Sequence, residues 1–318
     1  MTKTRLAPSP SGALHLGNAR TFLLNWLLAK QNGWAILLRI EDLDGPRIKA
    51  GADQLLLQDL KWIGLTWDEG PIYQSQRAAI YRSAIDYLLK IGLAYPCICT
   101  RGEVELAASA PHAEDGAAVY PGTCRGRFAS VQEAAATAGR LPAIRFAAPD
   151  RAVEFNDLFR GRQKINVAAQ LGDFVISKSD GTAAYQLAVV VDDLAANITQ
   201  IVRGDDLLDS TPRQILLYEA LRAADQIPRY IHLPLVTGQD GRRLAKRHGD
   251  TRLATYRQAG VPAGRVLALL ARWSGIAESI ENVSDPAQLI DTFHLQNLPR
   301  APIIFTAADD HWLNQQCA

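Results

Sequence analysis

Residues 5–18 read Arg5-Leu-Ala-Pro-Ser-Pro-Ser-Gly-Ala-Leu-His-Leu-Gly-Asn18. Thr2–Ala7 has the character of a short strand, and Pro8-Ser9-Pro10-Ser11-Gly12 forbids continuation of any regular element. From Gly17 onward, Phe22, Trp26 and Ala29 fall at helical spacing within Asn18–Gln31. The string therefore predicts a strand, a stiff loop and a helix whose first turn carries His15, Gly17 and Asn18. A helix start presents unpaired N–H groups and the positive end of its dipole, which suits a phosphate. Gly17 would let a ligand approach the backbone closely, and His15 offers a donor to phosphate oxygens.

The flanking chain extends this unit into a fold class. Trp34–Ile40 is an apolar run of buried-strand length closed by Glu41-Asp42, and Ala50–Ile63 and Arg77–Ile91 are amphipathic helices. Strand, helix, strand, helix predicts an α/β parallel sheet with crossover helices. The alternation breaks at Ala94, where a stretch with three cysteines, loose alanines and short β-like pieces such as Ala143–Ala147 reads as an insertion. Apolar and helical segments resume at Leu187–Val191, Ile198–Val202 and Pro212–Ala224, with a further strand expected at Ile231–Val236. The expected organisation is 1–93 as the first half of a catalytic domain, 94–184 as the insertion, 185–250 as the second half, and 251–318 as a helical segment.

Composition excludes several alternatives. The 318 residues carry 34 Lys+Arg against 33 Asp+Glu, so a charge of +1 neither supports nor excludes a nucleic-acid partner. At 48% hydrophobic and 21% charged, the chain is neither disordered nor fibrous. No apolar run approaches the ~20 residues of a bilayer span, and Met1-Thr2-Lys3-Thr4-Arg5 does not open a signal peptide. Four cysteines in a chain of this size do not make a disulfide framework, so the expected compartment is the cytoplasm.

Cys97-Ile-Cys99 followed by Cys124 places three soft ligands in a segment with little core of its own, the pattern of a structural zinc site. Spacing leaves the fourth ligand open among His112, Glu103, Asp115 and Tyr120. Between Tyr120 and Lys164, eight basic residues stand against four acidic ones, an excess that fits either an RNA-facing surface or an ordinary solvated face.

Residues 5–18 resemble the ATP-binding signature of class I aminoacyl-tRNA synthetases, His-Ile-Gly-His, and most of all its glutamyl branch, with Asn18 in place of the second histidine. That branch has a Lys-Met-Ser-Lys-Ser partner loop, matched here by Arg243-Leu-Ala-Lys-Arg247 within Gly241–Gly249. Lys246 takes the second lysine's place, Arg243 the first, and Ala245 replaces a serine. A basic, glycine-flanked loop is by itself ordinary; the two strings together carry the resemblance.

The resemblance implies a Rossmann-like nucleotide-binding sheet and an ATP site formed by His15, Gly17, Asn18, Arg243 and Lys246, of which His15, Asn18 and Lys246 are catalytic. It further implies a glutamate site formed by Arg5, Leu6, Ala7, Pro8, Ser9, Glu41, Tyr185 and Arg203. Glu41, in Arg39-Ile-Glu-Asp-Leu-Asp44, would hold the substrate ammonium. Two cations, Arg5 and Arg203, favour a dicarboxylic amino acid over a neutral amide. In the nearest bacterial relatives the metal pattern is Cys-x-Cys then Tyr-x-x-x-Cys, which assigns Zn²⁺ to Cys97, Cys99, Tyr120 and Cys124.

With about 68 residues after Asp250, the expectation is a chain without the anticodon-binding helices of a full glutamyl-tRNA synthetase. It most resembles the short branch that activates glutamate with Mg²⁺ and ATP, without tRNA, and transfers it to queuosine in the anticodon loop of tRNA(Asp). The expected protein is a monomer with no membrane partner. The rival readings are a truncated glutamyl-tRNA synthetase charging a tRNA 3′ end and a non-catalytic zinc-containing RNA-binding paralogue. A nucleotidyltransferase acting on a small acid would share the first signature but not need Arg5, Tyr185 and Arg203 together.

Overall fold

The computed structural model describes residues 1–10, 13–45, 48–100, 102–104, 119–242, 244, 250–277 and 279–315. Arg243 and Lys246 lie outside them, as do His112, Asp115 and Cys317.

The first half follows the expected alternation. β1 (Lys3–Leu6), α1 (Leu16–Asn32), β2 (Ala35–Ile40), α2 (Ala52–Trp62) and β3 (Glu69–Tyr73) build a parallel sheet in the order β1-β2-β3, with Lys3 opposite Ala35 and Leu6 opposite Leu38. Gly33, with φ of +63°, ends α1 and allows the turn into β2. β3 had no sequence signal, because Gly70-Pro71 reads as a turn. It forms because the glycine lets two backbones meet: a Cβ at Gly70 would lie 2.3 Å from the Leu38 carbonyl oxygen.

α1 is buried differently from its expected stripe of Phe22, Trp26 and Ala29: Phe22 is half-buried beside the cleft, while Leu16, Leu23, Leu24, Leu27 and Leu28 are buried along with Trp26 and Ala29. At roughly 1.5–3 kcal/mol per buried leucine, this helix is a main anchor of the first core. Arg20 is also buried there. Its Nη1 donates to the Pro234 carbonyl at 2.8 Å and its Nε to Ser274 at 3.0 Å, while burial pushes its pKa down to about 10.

After α3 (Ala78–Lys90), β4 (Ala94–Cys97) begins a small antiparallel sheet in the order β4-β5-β8, completed by β5 (Ala143–Phe146) and β8 (Phe174–Ser177). Between these strands lie α4 (Val131–Ala138), the hairpin of β6 (Ala152–Asp157) with β7 (Gly161–Asn166), and the short α5 (Val167–Gln170). α6 (Tyr185–Ala195), β9 (Gln200–Gly204), α7 (Ser210–Ala220) and β10 (Arg229–Leu233) restore the alternation. Leu187–Val191 thus lies in a helix. The strand expected at Ile231–Val236 is split: Pro234 separates β10 from β11 (Val236–Thr237). α8 (Leu253–Gln258), α9 (Ala263–Trp273), β12 (Ile303–Ile304), paired with β11, and α10 (Ala307–Asn314) follow.

β9 and β10 pair in parallel, and β10 also meets β6, where Tyr230 stands opposite Asp157. The two halves join where the Thr199 N–H donates to the Lys3 carbonyl at 2.9 Å. The strands thus run β3-β2-β1, then β9-β10-β6-β7. Chain order reverses between β1 and β9, and the carboxyl ends of strands at such a reversal leave a crevice. Among the described residues, no helix is long and apolar enough to cross a membrane.

Candidate active site

A cleft of about 480 Å³ opens at that reversal, lined among others by Arg5, Ala7, Pro8, Ser9, His15, Gly17, Asn18, Glu41, Tyr185 and Arg203. These are expected site residues from Arg5–Asn18, Arg39–Asp44 and beyond, carried on β1, α1, α6, β9, the loop between β1 and α1 and the end of β2. Leu6 is the exception. It is fully buried in the core, as strand alternation between Arg5 and Ala7 requires.

At the α1 end of the cleft, His15 caps the helix. Its Nδ1 accepts from the Asn18 backbone N–H at 3.4 Å, which puts the proton of a neutral ring on Nε2. A Cβ on Gly17 would stand 3.2 Å from the His15 ring and 3.4 Å from Val236 Cβ, so only glycine leaves this corner uncrowded. The loop between β1 and α1 is tied to the end of β2 by the Glu41 N–H, which donates to the Pro8 carbonyl at 3.0 Å.

At the other end lies a buried charge network. Arg39, fully buried, donates from Nη1 to Asp193 at 2.5 Å and from Nη2 to Glu41 at 3.0 Å. Burial opposes the Arg39 charge, yet Asp193, Glu41 and Asp192 outweigh it and hold its pKa above the ordinary value. Asp193 also lies 3.6 Å from Arg5 Nε. Asp192 accepts from Arg77 Nε at 2.6 Å, Gln74 at 2.8 Å and Tyr81 at 2.9 Å. Burial lowers the Arg5 pKa, against the pull of Asp193, and raises that of Glu41, against Arg39 and Arg5.

Arg203 is held by a second chain of polar groups. Its Nε donates to His232 Nε2 at 3.0 Å and its Nη2 to the Thr211 hydroxyl at 2.8 Å, while His232 Nδ1 lies 2.7 Å from Asp157 Oδ2. Arg5 Nε and Arg203 Nη1 are buried and make no hydrogen bond among the described residues. Arg5 Nε has the Asp193 carboxylate 3.6 Å away, whereas Arg203 Nη1 calls for an acceptor, and a carboxylate matches it best. Opposite charge is at hand in Glu41, so the cleft offers two cations and one anion to a ligand carrying carboxylates and an ammonium.

The second basic motif lies in a segment whose two ends are placed. Leu235 and Val236 line the cleft, the Gly238 N–H donates to the Arg242 carbonyl at 2.9 Å, and the Leu244 N–H donates to the Val236 carbonyl at 3.1 Å. On the far side, the Leu16 N–H donates to the Thr251 carbonyl at 3.0 Å.

Away from the cleft, the sulfurs of Cys97, Cys99 and Cys124 lie within 4.8 Å of one another. Tyr120 Oη is 3.4 Å from Cys97 Sγ and 3.6 Å from Cys99 Sγ, and accepts from the Cys124 N–H at 2.8 Å. Arg145 stacks its guanidinium 3.7 Å over the Tyr120 ring and donates to Cys97 Sγ at 3.3 Å. Three sulfurs and a phenol oxygen converging on one point form a donor set that suits a thiophilic divalent ion. Burial pushes the Cys99 thiol up to about 11, a shift that such a cation would reverse.

Sequence reasoning missed Asp192, Asp193, Asp157, Thr211 and His232. A signal existed for the first two, since adjacent acids interrupt an apolar helical run. His232 in an apolar strand and Asp157 at a hairpin had none.

Residues 1–312 match the family described as tRNA synthetases class I (E and Q), catalytic domain. The chain is 47% identical over 309 residues to a glutamyl-Q tRNA(Asp) synthetase of Symbiobacterium thermophilum, covering 94% of each chain. It is 41% identical to a glutamate–tRNA ligase of Geobacter sulfurreducens, matching 98% of this chain but 65% of that one. The fold is similar, with a TM-score of 0.81 and 32% identity, to the crystal structure of a glutamate tRNA ligase from Elizabethkingia meningosepticum in complex with its amino acid. That match covers 99% of this chain and 69% of the other.

Proposed function

The chain belongs to the class I tRNA synthetases for glutamate and glutamine, a family of ligases, and we propose that it activates glutamate with ATP, without tRNA, and transfers it to queuosine in the anticodon loop of tRNA(Asp). The observation that carries the amino-acid half is Arg203 Nη1, a buried guanidinium donor that makes no hydrogen bond among the described residues, in a cleft that Arg5 and Glu41 also line. The match to a glutamyl-Q tRNA(Asp) synthetase over 94% of both chains supports the acceptor half.

In this reading Glu41 holds the substrate ammonium, Arg5 and Arg203 hold the side-chain carboxylate, and Tyr185 with the Ala7-Pro8-Ser9 loop closes around it; Leu6 supports the strand from behind. The α-carboxylate attacks the ATP α-phosphorus, a C–O–P linkage forms, and pyrophosphate leaves. His15, Gly17, Asn18 and Arg243 position the phosphates, and Lys246 offsets charge growing on them. Mg²⁺ arriving with ATP would neutralise further phosphate charge. A hydroxyl of the queuosine cyclopentene ring then attacks the activated carbonyl, giving an ester and AMP.

Cys97, Cys99, Tyr120 and Cys124 would hold one structural Zn²⁺ that steadies the small antiparallel sheet. We assign 1–93 and 185–250 to the two halves of the nucleotide-binding unit, 94–184 to an insertion facing RNA, and 251–318 to a helical buttress. The enzyme acts as a monomer in the cytoplasm.

Labelled glutamate tests the acceptor. Transfer should survive removal of the tRNA 3′-terminal adenosine and vanish with tRNA lacking queuosine. The opposite pattern would make this a truncated glutamyl-tRNA synthetase charging the 3′ end.

A further inference from the structure

Asp157, His232 and Arg203 form a buried line of hydrogen bonds that stops at the cleft wall. β6 supplies Asp157, β10 His232 and β9 Arg203. The Arg203 guanidinium has only donors, so Nε–H at 3.0 Å from His232 Nε2 requires that nitrogen to accept. The His232 proton must then sit on Nδ1, where the Asp157 carboxylate takes it at 2.7 Å. The carboxylate is itself fixed by the backbone N–H groups of Phe159 at 3.0 Å, Arg160 at 2.7 Å and His232 at 3.1 Å. Hydrogen bonds fix each member of this line, and at its end Arg203 Nη1 makes no hydrogen bond among the described residues.

Resting on the reading of Arg203 as the side-chain carboxylate's partner, we infer that His232 is a positioning residue that holds this guanidinium toward the substrate only while its ring is neutral. A proton on Nε2 would face the Arg203 Nε–H donor to donor and set two cations side by side, so Arg203 would have to leave its aim. Other charged or polar groups face the ring too: Asp205 at the end of β9, Tyr230 stacked on the same strand with ring centroids 6.1 Å apart, and the Thr211 hydroxyl of α7 at 3.2 Å. Burial pushes the His232 pKa below its ordinary value, Asp157 opposing, so the neutral ring prevails at physiological pH. Glutamate affinity should therefore be flat above neutrality and weaken toward acid.

Calorimetric titration of glutamate into the full chain, from about pH 8 to about pH 5.5, reads this directly. The wild type should lose affinity progressively on the acid side, by less than about tenfold per pH unit, the limit for one linked proton. His232→Gln places a non-titrating oxygen near the Nε2 position. It should keep affinity within about threefold at pH 8 and abolish the acid loss, whereas His232→Leu should bind about tenfold more weakly at every pH. A flat wild-type profile would overturn the inference. So would an acid loss that persists in His232→Gln, which would put the titration on Glu41. A wild type that binds no glutamate at any pH would instead defeat the functional reading.

Discussion

The Leu16 N–H donates to the Thr251 carbonyl at 3.0 Å, and the Leu253 N–H returns the contact to the Leu14 carbonyl at 2.8 Å. These bonds clamp the start of α1, with its capping His15, to the chain just beyond the second basic motif. Thr251 and Leu253 follow that motif within a few residues, while Leu14 and His15, beside them, line the cleft.

Lys246→Ala should therefore reduce ATP–pyrophosphate exchange by ~10²–10³, the usual result of removing one preorganised charge from a reacting phosphate. Circular dichroism should be unchanged. An exchange rate within about threefold of wild type would take this lysine out of the mechanism.

Gly17→Ala separates folding from function. Alanine is the better helix former by up to about 1 kcal/mol, and losing the His15 cap costs about as much, so the melting temperature should change little. The new methyl, 3.2 Å from the His15 ring, should displace that ring and reduce exchange by about tenfold or more. A lower melting temperature with an unchanged rate would mean that the contact serves packing alone.

Arg203→Gln should weaken activation of glutamate far more than that of glutamine, because a buried carboxylate would lose its charged partner. The measurement is the ratio of exchange rates with the two amino acids. A ratio that does not move would assign side-chain recognition to another residue.

Native protein should contain one zinc per chain, and Cys99→Ser should lose it while retaining nucleotide binding. Metal binding supports folding of the segments that carry its ligands, so the chain at Cys97–Cys99 and Tyr120–Cys124 should become protease-sensitive in the variant. Elemental analysis finding under about a tenth of an equivalent in native protein would refute the site.

What could be read from the sequence was what lay contiguous in it. Arg5 to Asn18 carries its strand, its proline stop and its helix start within a few neighbours. Arg39–Asp44 and the paired cysteines are equally local, because each string needs only its own backbone to present its side chains. Tertiary structure decided everything that depends on a distant partner. β3 exists because Gly70 can lie against Leu38, although its own residues read as a turn. Asp192 and Asp193 look like interruptions of an apolar helix until Arg39, Arg77 and Arg5 arrive to balance them. His232 and Asp157 gain meaning only where β6 and β10 meet. A buried charge is tolerated when its counter-charge is within reach, and that reach is measured through space, where the sequence has no ruler.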